Sequence, residues 1–130
     1  MTTRGSGARL LVVMDDESAR GLLTAVLRAD GYPVDAAATR AEALGLIDRH
    51  AYALVLSALR MPGLDGSALS EALEARWPLA MPALIFVTGP AFTPDFARFL
   101  MESAAPLLPW PARPPDIRRI VARSLAPTPA

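Results

Sequence analysis

Few side chains in this sequence combine a reactive group with a place that could use it. The acidic run Asp15-Asp16-Glu17 follows the apolar stretch Leu10-Leu11-Val12-Val13-Met14, so its carboxylates emerge where a buried strand ends. Hard oxygens in such a place suit Mg²⁺, and short acids there also cap a helix and favour its positive end. Thr88 closes a second apolar run, Ala83-Leu84-Ile85-Phe86-Val87, and carries a hydroxyl. A third run, Leu54-Val55-Leu56-Ser57, delivers Ala58 just ahead of Met61-Pro62-Gly63-Leu64-Asp65-Gly66. In open α/β sheets ligands bind at the carboxyl edge of the strands. The residue offered there by the third run is a methyl group, which does no acid, base, nucleophilic or metal chemistry.

The elements that must position these residues follow from the hydrophobic pattern. The apolar runs are strand-sized and continuous, as expected of strands buried on both faces, and too short to span a bilayer. Between them the apolar residues recur at helical spacing. Leu22, Leu23, Val26 and Leu27 mark a helix over Ala19–Asp30, stopped by Gly31. Thr39-Arg40-Ala41-Glu42 reads as a capping box that opens a helix with Ala43, Leu46 and Ile47 inward, to about His50. Asp65 or Ser67 can cap a helix through Leu69, Leu73 and Trp77, and Pro94–Ser103 reads as a fourth. The prolines at 106, 109, 111, 114 and 115 restrict Leu107-Leu108 to an edge strand. Asp116–Leu125 is a final, arginine-rich helix. Strands and helices alternate through the chain, which predicts a parallel sheet covered on both faces. The expected organisation is a tail over residues 1–8, one domain over 9–126 and a tail over 127–130.

Composition narrows the function classes. Basic and acidic residues number 13 each, every basic one an arginine, so the formal net charge is zero. That balance gives no reason to expect nucleic-acid or membrane binding. Cysteine is absent, which excludes disulfides and thiolate chemistry. The opening Met1-Thr2-Thr3-Arg4-Gly5-Ser6-Gly7 lacks the apolar core of a secretory signal, so a cytoplasmic location is expected.

From Arg9 to Leu125 the sequence resembles the receiver domain of bacterial two-component response regulators. The anchors are Val12-Val13-Met14-Asp15-Asp16-Glu17, Met61-Pro62-Gly63-Leu64-Asp65-Gly66, Val87-Thr88-Gly89 and Trp110-Pro111. The resemblance implies a flavodoxin-like three-layer sandwich, with a five-stranded parallel sheet of order 2-1-3-4-5 and five helices. It implies autocatalytic phosphorylation of an aspartate at the end of the third strand, with the phosphoryl group drawn from a kinase phosphohistidine. Mg²⁺ is then held by that aspartate and an acidic pair, while a hydroxyl residue and a lysine hold the phosphoryl oxygens. Each part has a physical reason. The nucleophile must be a carboxylate, Mg²⁺ needs oxygen ligands, and donors must offset the phosphoryl charge.

Carried over by position, the phosphoacceptor falls on Ala58, the first acid on Met14, the second on Asp15, the hydroxyl on Thr88 and the lysine on Trp110. Arg20 sets that register; one residue later Asp15 and Asp16 would be the pair, at the cost of a deletion in the first helix. The aromatic that usually precedes the lysine position is Leu107. The expected reading is a receiver that has lost its phosphoryl chemistry and acts by protein–protein contact, not as an enzyme. Asp15, Asp16 and Thr88 are the retained positions, and Asp15 alone is a weak Mg²⁺ ligand, so no cofactor is expected. Ser57 and Asp65 are conceivable substitute acceptors with structural readings of their own, as a residue facing away from Ala58 and as a helix cap.

The expected contact surface is that of the fourth helix, fifth strand and fifth helix, with Phe96, Phe99, Leu100, Trp110 and Arg118 on it. Its partner would be a histidine kinase, a response regulator or a second copy. Trp110 itself is read as a lid, an interface anchor or a ring packed over the old lysine channel, and the Trp110-Pro111 bond is expected to be cis. Two other functions compete with docking: residual phosphoryl acceptance with Mg²⁺ at a substitute residue, and small-ligand sensing beside Asp15, Thr88 and Trp110.

Overall fold

The structure is a computed structural model describing residues 8–58, 60–61, 64–78, 81–88 and 106–126. The strands are β1 (Leu10–Val13), β2 (Val34–Ala37), β3 (Leu54–Ala58), β4 (Arg60–Met61), β5 (Leu64–Asp65), β6 (Ala83–Thr88) and β7 (Leu107–Pro109). The helices are α1 (Glu17–Ala29), α2 (Arg40–Arg49), α3 (Gly66–Arg76) and α4 (Pro114–Leu125). Five strands form one parallel sheet in the order β2-β1-β3-β6-β7, which is the expected 2-1-3-4-5 arrangement. The expected helix over Pro94–Ser103 lies outside the described residues.

β1 and β3, the sheet's inner strands with β6, are buried at every position. That is why they read as uninterrupted apolar runs rather than as alternating ones. Around them sit Leu23 and Leu27 of α1, Ile47 of α2, Leu69 and Leu73 of α3, and Ile117 and Val121 of α4, none more than 1% exposed. Truncating any one of the leucines to alanine should cost about 2–5 kcal/mol.

Local signals set the helix ends. Asp16 Oδ2 accepts a hydrogen bond from Ala19 N at 2.7 Å and so caps α1. Gly31, at φ 96°, takes the left-handed conformation that ends that helix. At α2, Thr39 Oγ1 accepts from Glu42 N at 3.2 Å, while Glu42 Oε1 accepts from Ala38 N at 3.0 Å. Pro114 and Pro115 occupy the first turn of α4, where a missing N–H costs nothing.

Several boundaries differ from the expected ones. α1 starts at Glu17 because Asp16 takes the cap, and Leu22 is 36% exposed at the margin of the apolar stripe. The third strand extends to Ala58. The antiparallel pairing of β4 with β5, Arg60 with Asp65 and Met61 with Leu64, carries no hydrophobic period and was not expected.

Two polar ties lie away from the carboxyl edge. Asp35 Oδ2 accepts from Arg9 Nη1 at 2.9 Å and from the Tyr52 hydroxyl at 2.7 Å, joining β2 to the residues that lead into β1 and β3. Arg76 Nε donates to Asp48 Oδ1 and so links α3 to α2.

Candidate functional site

Parallel strands end together, and the register determines which residues meet. Val13 pairs with Ser57, Ala58 with Val87, and Thr88 with Pro109. The carboxyl edge therefore gathers Met14-Asp15-Asp16 after β1, Ala58 at the end of β3, Thr88 at the end of β6 and Trp110-Pro111 after β7. Met14, Asp15, Asp16, Ala58, Thr88 and Trp110 all lie at this one edge, whereas Leu107 opens β7.

Their environments separate them. Met14 is 5% exposed, its amide donating to Ala37 O at 3.0 Å, and so extends β1 as a buried apolar residue. Asp15 is exposed. Asp16 is exposed as well, and its carboxylate is engaged as the α1 cap. Arg20 Nη1 donates to Met14 O at 3.0 Å and to Asp15 O at 3.5 Å, bracing the backbone beneath the acidic run. Ala58 is 7% exposed and Thr88 6%. The Thr88 carbonyl accepts from Trp110 N at 2.8 Å, which anchors the start of the proline-rich turn to the sheet. Trp110 is half-buried, packs against the core, and precedes Pro111 through a cis peptide bond, as expected.

The donor set can be compared with what Mg²⁺ requires. A thioether at Met14 and a methyl at Ala58 supply no hard oxygen, and Asp16 Oδ2 already accepts a backbone proton. Among the described residues no three His, Cys, Asp or Glu side chains are grouped to hold a metal ion. The residues present do not fit an Mg²⁺ centre.

The two substitute acceptors are accounted for differently. Ser57 is 1% exposed and its hydroxyl donates to Ala58 O at 2.9 Å, a buried structural bond. Asp65 immediately precedes the first residue of α3, the position of a helix cap. Of the expected contact residues, Trp110 and Arg118 are half-buried, while Phe96, Phe99 and Leu100 lie outside the described residues.

Sequence reasoning missed the Arg9–Asp35–Tyr52 cluster, whose members are 17 and 26 residues apart along the chain and carry no motif. Burial opposes ionisation of Asp35, but the Tyr52 hydroxyl and the Arg9 guanidinium outweigh it and hold the carboxyl below its ordinary value. Burial and the Asp35 carboxylate push the Tyr52 phenol well above its own. His50 sits edge-on to the Tyr52 ring, centroids 6.2 Å apart, and is half-buried.

Comparison with known proteins agrees with this arrangement. The response regulator receiver domain profile matches residues 10–122. Protein PetR of Rhodobacter capsulatus is 33% identical over 112 residues, covering 86% of this chain and 46% of PetR. Response regulator Rre1 of Synechocystis is 30% identical over 118 residues, covering 90% of this chain and 51% of Rre1. The chain thus spans about half the length of these relatives. Among solved structures, a putative two-component system response regulator/GGDEF domain protein superposes with a TM-score of 0.80 at 29% identity, covering 95% of this chain and 50% of that one. The receiver domain of the hybrid histidine kinase CckA gives 0.72 at 28% identity, covering 92% and 100%. Chemotaxis protein CheY4 of Vibrio cholerae shares the fold with a TM-score of 0.79 at 23% identity, covering 91% and 98%. With the sheet order and the profile in agreement, this chain belongs to the response regulator receiver domain family.

Proposed function

We propose that this receiver domain takes part in two-component signalling without accepting phosphate, and that it acts by protein–protein contact rather than as an enzyme. The observation that carries the reading is Ala58 at the end of β3, where the family's resemblance puts the nucleophilic carboxylate. Met14 in place of the first acid and Trp110 in place of the lysine support it. Without the carboxylate, neither a metal nor a phosphoryl-binding cation has a use, so the three replacements belong together. Asp15, Asp16 and Thr88 then serve structure and solvation.

The domain, residues 9–126, docks through α4, β7 and the turn carrying Trp110, with Arg118 on that surface and Phe96, Phe99 and Leu100 adjoining it in sequence. A histidine kinase or another response regulator in the cytoplasm is the proposed partner, with a second copy of the chain as the homodimeric alternative. Nucleic acid is not a proposed partner.

Incubation with radiolabelled acetyl phosphate and Mg²⁺ tests the reading. The expected result is no protein-bound phosphate. Hydroxylamine-labile label would reveal an acyl phosphate on another carboxylate, acid-stable label a phosphoester on a hydroxyl, and either would overturn the proposal.

A further inference from the structure

β2 ends one side of the sheet, and its outer edge meets no further strand among the described residues. Leu10 N donates to Pro33 O and Met14 N to Ala37 O, so residues 33, 35 and 37 turn their backbone groups toward β1. Successive residues of a strand present those groups to opposite sides, and residues 34, 36 and 38 therefore turn theirs outward. An edge of unpaired N–H and C=O groups is a template for another strand.

Two of these outward groups are taken, each by a charged side chain from a different helix. Arg28 Nη2, in the last turn of α1, donates to Val34 O at 2.8 Å. Glu42 Oε1, in the first turn of α2, accepts from Ala38 N at 3.0 Å. Between them exposed Ala36 faces out with no side chain bonded to its N–H or C=O among the described residues. A groove of about 370 Å³ separates Ala36 from Gly21, Thr24, Ala25 and Arg28 of α1, so bulk does not close this edge. The helix dipole accounts for a cation in the last turn of α1, and the capping box accounts for Glu42. Neither requires Arg28 to take a carbonyl of β2.

The two occupied groups are the ones a second copy would use. Two β2 strands set antiparallel about a twofold axis at Ala36 oppose residue 36 to residue 36 and residue 34 to residue 38. Opposed pairs of this kind exchange both backbone hydrogen bonds. Ala38 N of one copy would then donate to Val34 O of the other, and those groups are held by Glu42 and Arg28. Charge-assisted bonds are the harder ones to displace. We propose that Arg28 and Glu42 form a latch that keeps the β2 edge closed to a second copy of this chain. The latch is independent of phosphoryl chemistry and of the surface through which the receiver docks.

The chain has no cysteine, so one introduced thiol can report on the edge. In the twofold pairing the opposed Cα atoms of residue 36 would stand about 5.5 Å apart, within reach of a disulfide. Under mild oxidation, Ala36→Cys should cross-link no faster than random collision, which Arg49→Cys at an exposed position of α2 measures. Adding Arg28→Ala to Ala36→Cys should raise the dimer yield about tenfold or more, the factor expected when a charge-assisted bond no longer has to be displaced. Adding Glu42→Ala as well should raise it further. Circular dichroism before oxidation shows whether each variant is folded; Glu42 also caps α2, so if the triple variant melts, Arg28→Ala alone decides. No rise with Arg28→Ala, or an equal rise when it is combined with Arg49→Cys, would overturn the proposal. So would Ala36→Cys that cross-links as readily with Arg28 in place as without it.

Discussion

Asp15 and Asp16 are neighbours of one type with different duties. The Asp16 carboxylate accepts from Ala19 N at 2.7 Å and caps α1, whereas Asp15 is exposed and makes no side-chain bond among the described residues. Asp16→Ala should therefore cost about 0.5–2 kcal/mol in urea unfolding, and Asp15→Ala a few tenths at most; equal losses would contradict the assignment. At Ala58 the logic is reversed. The site is 7% exposed, so a carboxylate installed there loses most of its water. Ala58→Asp should lower stability in the absence of Mg²⁺ by about 1–3 kcal/mol, read as a lowered melting temperature. An unchanged or raised one would mean that the pocket still welcomes an acid.

Among the elements, the sheet was the most legible part of the sequence and the polar ties the least. Ala83–Thr88 was readable to the residue because a doubly buried strand leaves an unbroken apolar run. The prolines around Leu107-Leu108 identified β7 as an edge strand by elimination. The β4–β5 pairing is only two residues long on each side and leaves no period to detect. The carboxyl edge was legible because the apolar runs mark where the strands end, and so which residues arrive there. Asp35 and Tyr52 were not, since nothing local links an acid in β2 to a phenol ahead of β3. That link has a pH signature. The folded-state carboxyl of Asp35 lies below its ordinary value, so its contribution is complete above the unfolded value of about 3.9 and disappears as pH falls through the lower folded one. Tyr52→Phe should cost about 0.5–1.5 kcal/mol at neutral pH and flatten the acid limb of the stability profile. An acid limb as steep as the wild type's would show that the Tyr52 bond does not set the Asp35 carboxyl.

At the scale of the whole molecule, the parallel sheet of the receiver family and its carboxyl edge are in place, and on the proposed reading Met14, Ala58 and Trp110 stand where the family's phosphoryl chemistry would be. No helix among the described residues is long and apolar enough to cross a membrane. On the proposed reading this scaffold signals by contact and is silent to phosphate. The most direct measurement is an amide NMR titration of the full chain, first with Mg²⁺ and then with beryllofluoride, which mimics a phosphoryl group on a carboxylate. No saturable shifts are expected at Asp15, Ala58, Thr88 or Trp110 in either step. Saturable shifts with beryllofluoride would mean that another carboxylate has taken over from Ala58, and would contradict that reading.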